Sequence, residues 1–301
     1  MENKLSDKNN RNRKGRGVSH SKIILMGEHS VVYGYPAIAI PLKNIQMECI
    51  VERSRVPFFH NEKDTLSTAV HTALKYLNRK NENIKYKVIS DIPPKRGMGS
   101  SAAVSIAAIR GVLDYFNRKV DNMTLEKLVN EAEIIAHNTP SGLDAKTCLS
   151  DSAIKFIKNK GFKNLDMNLG AYLLIADTGI HGHTRDAIMN IKNMRNKALP
   201  MLEKLGKLTE ETEKFIEKKD VVNIGKNMIS AHEELKRLGV SIEKSDILVK
   251  TAIDEGAYGA KMSGGGLGGC IIALMESKEK AEMTGKKLME KGAVNIWIEA
   301  L

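Results

Sequence analysis

Two glycine-rich segments have the residue types that could bind the phosphates of a ligand. Segment 97–101 (GMGSS) follows a basic pair, Lys95-Arg96, and leads into an alanine-rich segment. Small residues let the backbone approach a ligand closely, and the free N–H groups and dipole of a helix N-terminus favour phosphate. A tight strand-to-helix turn without a ligand would explain the glycines, but not the two serines after two cations. The Walker A order of residues is absent.

Segment 261–270 (KMSGGGLGGC) has five glycines in the six positions 264–269. So many glycines cost conformational entropy unless the backbone must be bare. A flexible hairpin tip and a phosphate-facing loop explain this run about equally well. A third segment, 22–37 (KIILMGEHSVVYGYPA), places a lysine before an apolar run and a Glu28-His29 pair after it.

Apolar patterning predicts the elements that must position these segments. The alanine-rich residues 102–113 predict a buried helix, and three-and-four spacing predicts a second helix over 125–136. Thr124 is its predicted N-cap, and the helix should end before Pro140. Further helices are expected between Thr184 and Leu238. Strands are predicted at 22–26, 45–51, 84–88, 172–176 and after Cys270.

Length and composition indicate a globular chain of two domains. The 301 residues are 42% hydrophobic and 28% charged, which argues against disordered, collagen-like and disulfide-scaffold proteins. The longest apolar stretches are too short for a membrane span. Three cysteines without a C-x-x-C pair argue against zinc or redox chemistry, so we predict the reducing cytoplasm as the compartment.

The net charge favours anionic partners. Lys plus Arg number 47 and Asp plus Glu 36, so the formal charge is 47 − 36 = +11. Nucleotides, nucleic acid, membrane surfaces and phosphorylated metabolites would all suit this charge. Residues 1–17 contribute six cations and two carboxylates to it. We interpret 1–17 as a disordered basic tail rather than a nucleic-acid arm.

The three segments together resemble the GHMP kinase superfamily in order and spacing. Segment 27–39 has the G-E-H-x-V-V-x-G-x-P-A-I-A form of mevalonate kinases rather than that of galactokinases or homoserine kinases. Segment 94–103 is similar to the superfamily's G-[LM]-G-S-S-A-A signature, and segment 261–270 to its K-x-[ST]-G-x-G-x-G-G-C. The resemblance runs from about His20 to the C-terminus and looks closest to the enzymes of Gram-positive cocci.

The resemblance implies an α+β fold of two domains. These are a ribosomal-S5-domain-2-like half at 18–170 and a ferredoxin-like half at 171–301, with the active site in the cleft between them. The implied reaction transfers the γ-phosphate of ATP to the 5-hydroxyl of mevalonate, with Mg²⁺ as cofactor, in isoprenoid synthesis. The expected partners are ATP and mevalonate, not nucleic acid or membrane, and a homodimer is left open.

The resemblance also implies a catalytic pair. Asp144, in the P-S-G-L-D pattern at 140–144, would take the proton of the substrate hydroxyl, and Lys22 would keep that carboxylate ionised. The alternatives are a turn-forming aspartate and a surface lysine at a strand start. The implied magnesium ligands are Ser101 and Glu133, because Mg²⁺ takes few carboxylates when ATP supplies phosphates.

Other positions match ligand-binding residues of the superfamily. Glu28 and His29 would line the mevalonate side, and Thr184 would approach the aspartate; a surface turn and an N-cap are the alternatives. His137 shares a predicted helix face with Glu133, and the E-x-x-x-H spacing could also bind a transition metal. His137 and segment 181–183 (HGH) are interpreted as structural rather than metal-binding, because no third ligand is spaced to complete a site. The implied ATP- and phosphate-binding residues are Gly97, Met98, Gly99, Ser100, Ser101, Ala102, Gly264, Gly265 and Gly266.

One departure and two rival functions remain. Gly265 stands where many members have alanine, which should loosen the second glycine segment. Within the superfamily the substrate could be phosphomevalonate or homoserine. Outside it, a basic nucleic-acid-binding module is the alternative, although aromatic residues are only 5% and the basic cluster lies in the tail.

Overall fold

The computed structural model of the chain describes residues 13–137 and 142–301, and for residues 136 and 137 it describes the backbone alone. The described strands are β1 (Lys14–Met26), β2 (Ala37–Arg53), β3 (Ile84–Ser90), β4 (Ala153–Ile157), β5 (Gly161–Leu165), β6 (Tyr172–Asp177), β7 (Gly259–Ser263), β8 (Cys270–Met275) and β9 (Asn295–Ala300). The described α-helices are α1 (Thr65–Tyr76), α2 (Ser100–Tyr115), α3 (Asn122–His137), α4 (Leu143–Cys148), α5 (Thr184–Asn193), α6 (Leu199–Glu217), α7 (Val221–Arg237), α8 (Glu243–Asp254) and α9 (Lys278–Glu290).

The chain forms two compact units whose residues alternate along the sequence. Among the described residues, the first contains 13–21, 42–93 and those of 99–149, and the second contains 22–41, 94–98 and 150–301. Residues 22–41 and 94–98 therefore cluster with the C-terminal part of the chain. The clustering does not follow the predicted domains 18–170 and 171–301, and those ranges stay a prediction.

The first unit packs helices against the C-terminal part of β2. There β2 pairs antiparallel with β3, with Met47 opposite Ser90 and Arg53 opposite Ile84. Helix α2 is rich in alanine, so its backbone packs closely, and eleven of its residues are buried. Helices α1 and α3 pack against it. The predicted helix at 102–113 is confirmed with slightly wider bounds.

The second unit contains a four-stranded antiparallel sheet in the order β7-β8-β6-β9. Strand β8 is buried at all six positions, as its continuous apolar sequence requires at the centre of a sheet. Helices α8 and α9 cover the sheet through a shared core that includes Leu174, Leu248, Ile271 and Leu288. In the same unit, the start of β2 pairs with β4, and β4 pairs with β5.

The predicted N-cap at Thr124 is wrong. Helix α3 begins at Asn122, and the Thr124 backbone N–H donates to the Asp121 side chain at 2.6 Å. Asp121 thus caps the helix, and these hydrogen bonds lower the pKa of its carboxyl. Aspartate is as good an N-cap as threonine, so the apolar periodicity alone placed the helix start too late.

The predicted disordered tail is wrong from residue 14 onward. Strand β1 begins at Lys14, which pairs with Glu52 at 2.6 Å, and the Arg16 backbone N–H donates to Asp114 at 2.8 Å. A β-carbon on Gly15 or Gly17 would overlap the backbone of α2, so these two glycines let the strand lie against that helix. Residues 1–12 of the predicted tail lie outside the described residues. Among the described helices, none is long and apolar enough to cross a membrane.

Candidate active site

The two glycine-rich segments meet in the second unit, at Gly97 and Gly264. Both residues have left-handed backbones, with φ of 76° and 91°. A β-carbon on Gly264 would lie 2.7 Å from Gly97 Cα, and one on Gly97 would lie 2.9 Å from the Ser263 carbonyl oxygen. Only glycine fits both the backbone angle and the close approach. The glycines are therefore required by packing, which excludes a free hairpin tip.

The rest of the second segment is equally packed. A β-carbon on Gly265 would overlap Thr184, and one on Gly266 would lie 2.6 Å from the Val240 carbonyl oxygen. The Leu267 N–H donates to that same carbonyl at 2.8 Å. The residues 264–269 thus form a fixed backbone surface between β7 and β8. Fixed N–H groups are what a phosphate-binding loop needs.

Lys22 is held against the first glycine segment. Its side chain is 1% exposed, its Nζ donates to the Gly97 carbonyl at 3.1 Å, and its backbone N–H donates to the Met98 carbonyl at 3.1 Å. The alternative of a surface lysine is therefore wrong. A buried ammonium next to the glycine loop could stabilise negative charge on a bound phosphate.

In the first unit, Ser101 and Glu133 form a polar pair at the start of α2. Gly99 precedes the helix with φ of 71°, and no side chain caps the helix N-terminus. Ser101 Oγ donates to Glu133 Oε1 at 2.7 Å, and Glu133 is 6% exposed on α3. The two predicted magnesium ligands are therefore in contact. Their hydroxyl and carboxylate oxygens are hard donors that suit Mg²⁺.

Asp144 also lies in the first unit, in the first turn of α4. Gly142 precedes this helix with φ of 84°, so the chain turns sharply into it. The Asp144 side chain is half-buried. Its predicted neighbours Lys22 and Thr184 belong to the second unit, and their pairing with Asp144 stays a prediction.

Glu28 and His29 are buried, so the surface-turn alternative for them is wrong. Glu28 is 1% exposed and forms an ion pair with Lys261, whose side chain is also fully buried. One oxygen of Glu28, Oε2, is buried without a hydrogen-bond partner among the described residues. His29 has φ of 60°, a conformation that costs energy for a residue with a β-carbon.

The His29 ring is neutral at physiological pH. Burial, with a smaller contribution from the Lys261 charge, lowers its pKa to about 4, and a hydrogen bond to the Gly265 backbone opposes the shift. Nε2 is buried and has no partner in the described part of the chain. The Gly265 contact raises the pKa, so the backbone group is the carbonyl, which can only accept. The ring proton therefore lies on Nδ1, and the Nε2 lone pair is available to accept a hydrogen bond.

Thr184 is the first residue of α5, and His183 precedes the helix without a side-chain cap, so the N-cap alternative is not observed. His183 Nδ1 lies 3.5 Å from Asp186. Within residues 13–137 and 142–301, no three His, Cys, Asp or Glu side chains cluster as a metal site. The side chain of His137 lies outside the described residues.

The sequence analysis missed three buried polar contacts around these loops. Lys261 pairs with Glu28, Arg96 pairs with Asp177 at 2.7 Å, and Ser263 Oγ donates to the Ile24 carbonyl at 2.8 Å. Arg96 had been grouped with the cations before the first glycine segment, but its guanidinium joins that segment to β6. A charged residue inside an otherwise apolar strand, as at Lys261, was the available signal.

Comparisons with known proteins fit this geometry. Two family models match the chain, GHMP kinases N terminal domain over residues 66–151 and GHMP kinases C terminal over residues 212–292. A mevalonate kinase from Pyrococcus furiosus is 31% identical over 306 residues, which cover 89% of this chain and 91% of that protein. The chain belongs to the GHMP kinase family. As a GHMP kinase, it is an ATP-dependent small-molecule kinase.

Solved structures confirm the expected α+β fold of two domains. The crystal structure of mevalonate kinase from methicillin-resistant Staphylococcus aureus MRSA252 matches this GHMP kinase with a TM-score of 0.77 and 29% identity, covering 96% of this chain and 99% of that one. The L. major mevalonate kinase in complex with R-mevalonate shares the fold, with a TM-score of 0.84, 24% identity and 96% coverage of both chains. The archaeal and staphylococcal relatives have similar identities, so closeness to Gram-positive cocci stays a prediction.

Proposed function

We propose that this GHMP kinase transfers the γ-phosphate of ATP to the 5-hydroxyl of mevalonate, giving ADP and 5-phosphomevalonate. The observation that supports this proposal is a pair of buried acceptors, Glu28 Oε2 and His29 Nε2, to which no described residue donates a hydrogen bond. Native proteins leave few buried polar atoms unpaired, because each costs about 1–3 kcal/mol. Two neighbouring acceptors suit the hydroxyl groups of a small polyol, and relatives along nearly the whole chain are named mevalonate kinases.

The nucleotide phosphates would lie on the glycine segments. In the second unit, Gly97, Met98 and Gly264–Gly266 supply backbone N–H groups that packing holds in place. In the first unit, Gly99, Ser100, Ser101 and Ala102 form the uncapped N-terminus of α2. The N–H groups and the dipole of a helix N-terminus favour an anion.

Ser101 and Glu133 would hold Mg²⁺ with the nucleotide. The pair offers one hydroxyl and one carboxylate, which fits a cation that takes its other ligands from phosphates and water. The bound ion would supply positive charge to the transferring phosphate. The Ser101 hydroxyl donates to the Glu133 carboxylate and so holds it near the start of α2.

The chemistry then needs one proton transfer and one displacement. Asp144 accepts the proton of the mevalonate 5-hydroxyl as that oxygen forms its bond to the γ-phosphorus, and the bond from phosphorus to the bridging oxygen of ADP breaks. Lys22, whose Nζ is held by the Gly97 carbonyl, contributes positive charge that stabilises the transferring phosphate. The role predicted for Thr184 is to orient the reacting hydroxyl. Most of the acceleration comes from positioning and electrostatics.

We also propose the cytoplasm as the compartment. Cys49 and Cys270 are free and buried, and Cys148 is buried as well. Burial raises the pKa of the Cys49 thiol to about 12, so it stays protonated and inert. Free thiols of this kind fit a reducing compartment. A homodimer stays a prediction.

The test is ADP release by the purified protein across four acceptors: mevalonate, phosphomevalonate, homoserine and galactose. We expect turnover with mevalonate to exceed the others and to stop when EDTA removes Mg²⁺. Higher activity on any other acceptor would overturn the substrate assignment. A rate of ADP release that is unchanged by EDTA and does not increase when Mg²⁺ is added would contradict the roles of Ser101 and Glu133.

A further inference from the structure

Lys261 is a fully buried lysine whose role the reaction above does not use. It lies on β7, three residues before Gly264 and at the start of segment 261–270, and its relative exposure is 0%. Its ammonium donates to the Glu28 carboxylate and, at 2.7 Å, to the Met262 carbonyl. Both groups belong to the second unit. The lysine therefore points away from solvent and toward the Glu28-His29 pair.

Such a pair is expensive to bury. Desolvation lowers the pKa of the Lys261 ammonium, and the Glu28 carboxylate opposes that shift. A buried ion pair adds little stability over a well-packed apolar pair, although removal of one partner leaves an uncompensated charge. A gain in stability therefore explains a lysine at this position poorly. Its effect on the orientation of the Glu28 carboxylate explains it better.

The contacts of Glu28 define that orientation. Lys261 donates to Oε1, and no residue in the described part of the chain donates to the buried Oε2. The next residue, His29, is held by the Gly265 backbone and keeps Nε2 free. One short stretch, 261–265, therefore fixes both acceptor groups and also begins the glycine segment proposed to face the nucleotide.

We infer that Lys261 is a positioning residue for the acceptor alcohol, which holds Glu28 so that its second carboxylate oxygen meets a substrate hydroxyl. The inference rests on the proposed function for the class of acceptor. In this role Lys261 makes no contact with ATP, although the glycines 264–269 follow it closely in the chain. Nucleotide affinity and acceptor affinity should therefore respond differently when the lysine is changed.

The experiment compares Lys261→Met with wild type by steady-state kinetics and by titration of a non-hydrolysable ATP analogue with Mg²⁺. We expect the KM for mevalonate to rise about tenfold or more, as for a misplaced hydrogen bond to a charged group. The Kd of the ATP analogue should stay within about twofold. Equal losses in both, or an unchanged KM, would overturn the inference.

Measurements on one further single variant and one double variant keep the test decisive if Lys261→Met folds poorly. Glu28→Gln and Glu28→Gln/Lys261→Met should have the same KM for mevalonate, because glutamine has no second carboxylate oxygen for Lys261 to orient toward the substrate. The double variant also leaves no unpaired buried charge. A KM that is clearly higher in the double variant than in Glu28→Gln would show that Lys261 acts elsewhere.

Lys155→Met is the matched control. Lys155 is a half-buried lysine of the second unit that pairs with Glu213 at 2.6 Å, far along the chain from Glu28. We expect it to lower stability without changing the KM for mevalonate. If wild type instead phosphorylates a different acceptor, the proposed substrate is wrong, and the same comparison with that acceptor still tests Lys261.

Discussion

Gly265 lies against Thr184 so closely that a β-carbon at position 265 would be 2.7 Å from the threonine β-carbon. Gly265 is not among the glycines with positive φ, so it supplies space rather than backbone freedom. The expectation that glycine here merely loosens the loop is therefore replaced by a steric role. The side chain of Thr184 occupies the room that an alanine would fill.

Gly265→Ala should therefore impair turnover by moving Thr184. A displacement near 1 Å in a positioning group can cost about 100-fold in rate, so we expect kcat/KM for mevalonate to fall about 10- to 100-fold. Gly182→Ala is the control, since its β-carbon would make ordinary contacts beginning at 3.4 Å. Equal activity of the two variants would show that Thr184 is not needed where it lies.

Ser101→Ala should weaken the Mg²⁺-nucleotide complex more than mevalonate binding. The change removes the hydroxyl that contacts Glu133 and leaves the backbone N–H groups of α2 intact. We expect the Kd of the Mg²⁺-ATP analogue, measured by isothermal titration, to rise about tenfold.

Ser105→Ala is the control for Ser101→Ala, because it lies one turn along the same helix and its buried hydroxyl has no partner in the described structure. It should bind nucleotide like wild type. If Ser101→Ala binds and turns over like Ser105→Ala, the magnesium assignment fails.

Asp144→Asn should lower kcat with little change in thermal stability. The substitution keeps the shape of a half-buried side chain and removes the base, and loss of a general base typically costs about 10²–10⁴-fold. Activity within about threefold of wild type would contradict the mechanism and leave the family assignment intact.

The double variant Asp144→Asn/Lys22→Met separates proton transfer from electrostatics. If the two residues act on the same step, the double variant should be hardly slower than the slower single variant. If the fold-losses in rate of the two single variants instead multiply in the double variant, Lys22 acts on the nucleotide alone. Rapid-quench measurement of the phosphoryl-transfer step gives the comparison without product release.

Acid should destabilise the protein through two buried histidines. Burial is the largest cause that lowers the pKa of both His29 and His232 to about 4, from an ordinary value of 6.5. Lys261 adds to both shifts and Lys236 to that of His232, while Asp246 opposes the latter. Between these two pH values the unfolded chain binds more protons than the folded one, so the free energy of unfolding falls as pH decreases.

The expected slope is about 1.4 kcal/mol per pH unit for each histidine in the middle of that range. His232→Asn should reduce the slope, measured by urea unfolding between about pH 4 and pH 6.5. Asparagine keeps an acceptor near the Met262 N–H, which lies 3.4 Å from His232 Nδ1. An unchanged slope would show that His232 is protonated in the folded protein.

The sequence was informative where function constrains residue type locally. The glycine segments stand out by residue type alone, and the main strands and helices followed from apolar periodicity. The roles predicted for Lys22, Glu28-His29 and the Ser101-Glu133 pair came from the resemblance to the GHMP kinases. These predictions needed no knowledge of distant contacts.

Contacts between distant segments were out of reach of such reasoning. The burial of Lys261 depends on Glu28, and the ordering of Lys14 depends on Glu52 in another strand. From residue type alone, both lysines would be expected to be exposed to solvent. Pairing decides whether a charge is buried, and one sequence does not show which residues pair.

The ion pair between Lys261 and Glu28 joins residues 233 positions apart. Ser263 bridges nearly the same distance to Ile24. During translation, residues 22–29 leave the ribosome long before β7 exists, so the second unit cannot close until most of the chain has been made. Until then Glu28 and the apolar residues of β1 lack these partners, so a chain truncated before residue 263 would leave apolar surface exposed and prone to aggregation.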